Sequence, residues 1–492
     1  MRRARAVAVG LAAAAGALAI AELVAVWVRP ESSPVLAAGS AVIDAAPHWL
    51  KDFAVRAFGT ADKPVLLGVI YLVLAGYAAA VGLLAARRLW LGQAGVALLG
   101  LAGVLFALGR PGAGPADVLP AVAGSVAGAW LLAVLATRTK EMEGRRTLLV
   151  AGAVAGVAVL TGAGARAWSG VRSAGTRSRA QVKLPSGAAM PAVEGTDLKL
   201  PGLPSFVTPN DEFYRIDTAL SIPQVDAETW RLKLRGMVDR PRTITFAELL
   251  AMPMVERDIT LTCVSNEVGG PLIGNARWLG VPLAPLLREA GIHPAADQLV
   301  MRSSDGWTCG SPVATLLDGR DALLAVGMNG QPLPIEHGFP VRVVVPGLYG
   351  YVSACKWLAE LEVSSFAEFD AYWVRRGWSA QGPIKTSSRI DTPRGRVRAG
   401  PVQVAGVAWA QHRGIAKVEV QVGDGPWQEA RLAAVPSSDT WRQWVHTWEA
   451  TPGEHRIRVR ATDGTGQVQT TARAPVAPDG ATGLHEVSVR VG

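Results

Sequence analysis

Asp258-Ile259-Thr260-Leu261-Thr262-Cys263-Val264-Ser265-Asn266 opens as a β-prone run and ends on a cysteine followed three positions later by an asparagine. Ile259, Thr260 and Thr262 are β-branched, so the run predicts a strand that presents Cys263 at its end. A cysteine in that position has two readings. It is a small buried apolar residue, or it is a thiolate ligand for a metal already held by other sulfurs. The chain has three cysteines, Cys263, Cys309 and Cys355, which form no Cys-x-x-Cys pair, no zinc spacing and no covalent-haem signature. Cys309 and Cys355 lack the flanking pattern of Cys263 and are expected to be structural or pocket-lining, with a disulfide between them as the alternative in an oxidising compartment.

Upstream the chain changes character. Its 492 residues allow three or four folding units, and half of them are apolar, with a mean hydropathy of +0.24, too oily for an ordinary soluble enzyme. Apolar runs cover residues 6–28, 65–86, 89–108, 116–137 and 147–167, each about 20 residues and so long enough to cross a hydrocarbon core as helix. No small-residue cleavage site followed by a soluble domain comes before the second run, which argues against a removed signal peptide. Arg2, Arg3 and Arg5 precede the first run, Arg87 and Arg88 follow the second, and Arg138, Lys140, Arg145 and Arg146 separate the fourth from the fifth. These clusters alternate onto the cytoplasmic side, so five spans deliver the rest of the chain to the extracytoplasmic face. Arg145-Arg146 ahead of the fifth run reads either as an internal twin-arginine export signal or as an ordinary stop-transfer flank.

The net charge of +9 has no basic stripe interleaved with aromatics, which excludes nucleic acid as the expected partner. The only histidine before residue 200 is His48, outside the runs, so no paired ligands for a membrane haem exist there. The helical region reads as an anchor, with a quinone pocket or partner-binding face as the alternative.

Residues 168–205, rich in Ser, Gly, Ala, Arg and Pro, are expected to be a linker. Beyond them Trp230–Gly236 alternates like a strand, Thr245–Leu250 looks like a capped helical turn, and Val341–Val345 reads as a buried strand. After Arg389 the pattern turns to short alternating runs, at Val402–Ala408, Lys417–Val422 and His455–Ala461, which suggests a β-sandwich and a boundary near residue 390.

Four segments in order carry a family resemblance. They are Thr208-Pro209-Asn210-Asp211-Glu212-Phe213-Tyr214-Arg215, then Leu261–Asn266, then Met328–Pro334 with His337-Gly338-Phe339-Pro340-Val341-Arg342 and Lys356-Trp357-Leu358, and last Ile390–Trp409 with Asp424–Trp427. Over residues 205–490 the chain resembles the sulfite oxidase superfamily. The apolar runs give an α-helical transmembrane region at 1–167 and composition gives the linker at 168–205, while the resemblance implies a mixed α+β molybdopterin-binding domain at 206–388 and an immunoglobulin-like all-β sandwich at 389–492.

By resemblance Cys263 is the protein ligand of a molybdenum–molybdopterin cofactor, in the family's Cys-x-x-Asn pattern with Asn266. The pterin phosphate calls for fixed cations and N–H donors, and His337, Arg342 and Lys356 match the family's cofactor positions, with Ala354 and Cys355 offering backbone groups. Arg342 lies inside the apolar stretch Pro340–Pro346, where an unpaired charge is costly, so a partner is expected there. Asp211, Tyr214, Arg215 and Asp305 fall where the family contacts the pterin, while Trp307 and Arg376 are candidate substrate-pocket residues.

The family reaction implied is a two-electron oxygen-atom transfer on a small sulfur- or nitrogen-containing substrate, the redox step belonging to the cofactor. Two departures blur the substrate. Glu267 follows Asn266 where sulfite oxidases carry arginine, and Trp307 stands before Ser311-Pro312 where sulfite oxidases carry a tyrosine shortly before a Ser-x-Pro. Glu267 either faces solvent or needs compensation from Arg215, Arg375, Arg376, Lys385 or Arg389. A reductase of S-oxides or N-oxides on the same fold, and a membrane-tethered adhesion or sensor protein without catalysis, are the competing readings. With no haem motif in the chain, a separate cytochrome or the quinone pool is the expected redox partner, and a homodimer through the sandwich is a further implication.

Overall fold

The computed structural model describes residues 3–47, 61–110, 113–138 and 174–492, with isolated positions at 50, 53, 57–58 and between 152 and 164. The chain divides into two compact units, residues 1–177 with 218–224, and residues 178–217 with 225–492.

In the first unit four helices are long and apolar enough to cross a membrane, Arg3–Val28, Lys63–Arg87, Leu89–Leu108 and Pro115–Thr137, and they coincide with the first four apolar runs. Small residues that admit close backbone contact pack these helices against one another. A Cβ on Gly10 would lie 2.1 Å from the Ala78 carbonyl oxygen, and one on Gly82 2.2 Å from that of Ala6. Gly124 and Gly128 meet Ala17 in the same way. A further helix, Pro34–Ala45, was not expected. Its signal is local, because Ser33 caps it by accepting from the Leu36 N–H and Pro34 occupies the first turn. The expected fifth span at 147–167, Arg145-Arg146 and His48 lie outside the described residues, apart from isolated positions in that span.

The second unit begins with ten strands: β1 (Arg231–Gly236), β2 (Arg242–Thr245), β3 (Val255–Thr262), β4 (Ile273–Pro282), β5 (Gln298–Ser303), β6 (Thr308–Pro312), β7 (Leu323–Met328), β8 (Gln331–Pro332), β9 (Arg342–Val344) and β10 (Leu358–Ser364). They form two sheets, β2-β1-β10-β5-β6 and β3-β4-β7-β8 with β9 on β7. The predicted helical turn runs Phe246–Ala251, opened by a reciprocal pair in which Glu248 accepts from the Thr245 N–H at 2.7 Å and Thr245 Oγ1 accepts from the Glu248 N–H at 3.1 Å. Trp278, Ile259, Leu261 and Val343 are buried in the core under both sheets.

The remaining strands are β11 (Ser387–Thr392), β12 (Gly395–Val397), β13 (Gly400–Trp409), β14 (Ile415–Val422), β15 (Gln428–Glu429), β16 (Arg431–Leu432), β17 (Arg442–Ala450), β18 (Gly453–Asp463) and β19 (His485–Val491). Sheets β11-β13-β17-β16 and β12-β19-β18-β14-β15 share one core that includes Ile390, Val404, Val420, Trp444, Ile457 and Val489.

Two boundaries differ from expectation. β11 pairs with β13, so the all-β region starts by Ser387 rather than at 389. The expected linker also gives way at Ala174–Gln181, which is helical, and Ser178–Asp217 belongs to the second unit. Arg179 Nε donates to the Leu333 carbonyl at 2.8 Å, Ala188 exchanges backbone hydrogen bonds with Met254 and Glu256 along β3, and Leu198 N–H donates to Gln443 Oε1 at 2.7 Å. Backbone groups seeking partners on an edge strand order a segment whose composition alone reads as loop.

Gly236 closes β1 at φ +94°, and a Cβ there would lie 2.2 Å from the Val363 carbonyl oxygen. Gly236→Ala is expected to cost roughly 2–3 kcal/mol and to lower the calorimetric Tm by several degrees, while Gly395→Ala, at φ +74° with nothing nearby, costs less.

Candidate active site

Cys263 follows directly on β3, buried, with its N–H donating to the Leu272 carbonyl at 3.0 Å. Burial pushes its thiol above the ordinary range, against hydrogen bonds from Ser265. The loop from 263 to 272 is closed from inside by Asn266, whose Oδ1 accepts from the Leu272 N–H at 2.8 Å. Asn266 thus shapes the loop that carries the cysteine.

The segment after Phe206 is knitted to the β3-β4-β7 sheet by asparagines. Asn275 donates to the Phe206 carbonyl at 3.0 Å, and Asn329 Nδ2 donates to the Thr208 carbonyl at 2.9 Å and to Asn210 Oδ1 at 2.8 Å. Asn329 takes φ +51° at the Asn-Gly turn between β7 and β8. That anchoring sets Phe213 edge-on to both Trp278 (5.9 Å) and His337 (5.6 Å), with Tyr214 stacked on it at 5.2 Å.

His337 donates from Nε2 to the Asn210 carbonyl at 3.0 Å. Burial, then the charge of Arg342, pull its pKa down to about 4, so it is neutral at neutral pH. Arg342, on β9, lays its guanidinium 5.0 Å from the centre of the Trp278 ring and donates from Nη1 to the His337 carbonyl at 3.1 Å, while its buried Nε has no protein partner. Burial lowers even this guanidinium to about 10. Lys356 donates to Asp217 Oδ2 at 2.8 Å and to the Glu336 carbonyl at 3.2 Å, lies 4.6 Å over Trp357, and is drawn down by burial to about 8 against the pull of Asp217. Gly338, at φ +112°, makes this convergence sterically feasible, since a Cβ there would sit 3.1 Å from both Arg342 and Lys356.

Tyr214 connects the two halves. Its phenol is pushed far above the ordinary range by burial and lies within electrostatic reach of both Cys263 and Arg342. Tyr349, raised to about 12 by burial, also senses Cys263.

Other expected site residues fall elsewhere or serve differently. Asp211 is exposed. Arg215 is exposed and bound to Asp217 at 2.8 Å. The Ala354 N–H is spent on the Gly350 carbonyl at 2.9 Å, so it does not offer the donor expected of it; the Cys355 carbonyl accepts from Val343 N–H at 2.9 Å. Cys309 and Cys355 are neighbouring free thiols, with Cys355 raised by burial and then by Cys309. Asp305 caps the β5–β6 turn, accepting from the Trp307 N–H at 3.0 Å. Arg376 stacks 3.6 Å from the Tyr372 ring, and Tyr372 donates its N–H to Thr308 Oγ1 at 3.0 Å, one residue after Trp307. Glu267 is exposed, the solvent-facing alternative. Asp217 was missed; its signal is its spacing of two from Arg215 in an extended segment, which puts both on one side.

Half-buried Lys356 and exposed Arg215 thus share the Asp217 carboxylate, while the nearby Arg342 keeps one guanidinium nitrogen without a partner among the described residues. Such a cradle suits an anionic group.

Residues 219–373 match the family described as oxidoreductase molybdopterin binding domain. Mitochondrial sulfite oxidase of Rattus norvegicus is 30% identical over 324 residues, covering 55% of this chain and 59% of the rat protein, so the chain spans about three-fifths of that relative. Sulfite oxidase of Gallus gallus is 30% identical over 324 residues, covering 55% of this chain and 70% of the chicken protein. Among solved structures, the sulfane dehydrogenase SoxCD from Paracoccus pantotrophus superposes with a TM-score of 0.51 at 25% identity, over 61% of this chain and 82% of that one.

Because His337 is near 4 when folded against an ordinary 6.5, the unfolded chain binds more protons between those values, and stability rises with pH across that window. His485, pulled by burial to about 4, acts in the same sense. His337→Gln should flatten the Tm–pH curve between pH 4 and 6.5, removing up to about 3 kcal/mol of dependence; an unchanged slope by calorimetry contradicts the assignment.

Proposed function

The chain belongs to the sulfite oxidase family of molybdopterin oxidoreductases, and we propose that it works as a membrane-anchored, extracytoplasmic member with Cys263 as the protein ligand to molybdenum. The observation that carries this reading is the pairing of a cysteine at the end of a buried strand with the buried Arg342, whose Nε lacks a partner, across Tyr214. When bound, the cofactor supplies two-electron chemistry coupled to oxygen-atom transfer.

The chain's own residues would bind and orient. Arg342 and Lys356 would hold the pterin phosphate, and the charge of that phosphate would offset the desolvation that depresses both cations. Neutral His337 would present its second ring nitrogen to the cofactor, since Nε2 is already spent on Asn210. Tyr214 would screen Cys263 from water, and Trp307 with Arg376 would line the substrate side.

The charge balance favours a weakly charged substrate. Arg215, Lys385 and Arg389 are engaged by Asp217 at 2.8 Å, Asp479 at 2.8 Å and Asp391 at 2.8 Å, so their charge is already matched. A divalent oxyanion is attracted less by these three paired side chains than by free cations, which keeps a neutral S-oxide or N-oxide in play. Reduction of a small S-oxide or N-oxide is therefore the second reading, with a sulfur or nitrogen compound as electron-donating substrate the first.

Arginines at the ends of the apolar helices, Arg87 and Arg138 among them, support the extracytoplasmic orientation. A separate cytochrome or the quinone pool would exchange the electrons, and the C-terminal all-β region would act as an immunoglobulin-like module able to pair two copies.

Purified wild type from a cofactor-competent host should contain close to one molybdenum and one pterin per chain. Cys263→Ser should lose the metal–thiolate absorption, and Arg342→Gln should retain about a tenth or less of the pterin. A wild type containing neither molybdenum nor pterin sinks the enzyme reading and favours a membrane-tethered adhesion or sensor protein.

A further inference from the structure

β3 is the outermost strand of its sheet, so one edge of its backbone has no strand partner. Near its start that edge is covered by Ala188. At its Cys263 end the cover comes from the C-terminal all-β region. Thr260 N–H donates to the Asp439 carbonyl at 3.0 Å, and Trp441 N–H donates to Thr260 Oγ1 at 2.7 Å. Gln411 completes the closure, with its Nε2 donating to the Thr260 carbonyl at 3.0 Å and to Thr262 Oγ1 at 3.0 Å. A single side-chain amide thus occupies the place of the next strand, one residue before the cysteine.

The arrangement carries a cost. Gln411 and Thr260 are fully buried, and the Gln411 Oε1 has no protein partner. A buried unsatisfied acceptor is destabilising, which a leucine of similar volume would avoid. The loop beyond the cysteine is gripped by the same region. Arg389 Nη1 donates to the Gly270 carbonyl at 2.8 Å, and a Cβ on Gly269 would lie 2.2 Å from His485.

We infer that Gln411 is a positioning residue for Cys263, and that the C-terminal all-β region forms the outer wall of the metal-ligand loop in addition to any role in pairing copies. By fixing the carbonyl of Thr260 and the hydroxyl of Thr262, Gln411 sets the direction in which Cys263 leaves the strand. Partners one shell out from a ligand tune a metal centre in this way. The inference rests on Cys263 being the ligand.

The test uses the full chain in detergent, as wild type, Gln411→Leu and Gln411→Glu. Gln403→Leu, whose amide bonds only Thr447 at the surface, is the control. Hydrogen–deuterium exchange across residues 258–266 should quicken by about tenfold or more in both Gln411 variants, with β18 unchanged and the control like wild type. The metal–thiolate absorption per bound molybdenum should shift or fall by roughly half in the Gln411 variants. Unaltered exchange at 258–266 overturns the inference. So does a uniform rise in exchange across the C-terminal strands with the wild-type spectrum per molybdenum, because that marks a general loss of stability. A wild type without molybdenum defeats the metal-ligand reading for every variant alike, while the exchange measurement still decides whether Gln411 holds the strand.

Discussion

Arg342 places a permanent charge in the centre of an apolar core, and much of the surrounding structure exists to make that tolerable. One donor is met by the His337 carbonyl and one face by Trp278, which leaves a nitrogen without a protein partner. A buried guanidinium in this state is destabilising unless an anion joins it. The constraint therefore couples the fold to its ligand. The sheet that buries Trp278, the turn at Gly338 and the asparagine ties around Thr208 all serve to hold cations that a phosphate would stabilise.

The same logic separates two kinds of tyrosine and lysine neighbours. Lys356 is kept charged by Asp217 although burial works against it, and Tyr214 is kept neutral because nothing nearby stabilises a phenolate enough. Burial thus shifts the two groups in opposite directions, keeping Tyr214 a neutral neighbour of the thiol while Asp217 holds Lys356 charged.

Much of this was legible in order along the chain. Cys263 stands one residue past β3 as the β-branched run implied, Thr245 and Glu248 form the reciprocal cap, and four apolar runs are helices of membrane-crossing length. His337, Arg342 and Lys356 lie close together, Arg342 donating to the His337 carbonyl and Lys356 to that of Glu336. What stayed hidden depends on contacts between distant residues. Asn329 reads locally as half of an Asn-Gly turn, yet its amide fastens a segment 121 residues earlier. Gln411 sits among ordinary strand residues, and nothing local marks it as the cover of an edge 151 residues back. The ordered stretch from Ser178 reads as loop because its order comes from pairing with an edge strand and not from any period of its own.

The closure of β3 by Trp441 spans 181 residues of sequence. At a synthesis rate of about 5–20 residues per second, that strand edge stays bare for on the order of 10–35 s after it emerges. During that interval Cys263 stands on an open, β-branched edge, the kind of surface that recruits other chains. Assembly is thus ordered in time as well as in space, because the strand that leads to Cys263 is made well before the residues that close its edge. A chain ending before Trp441 would leave that edge exposed permanently.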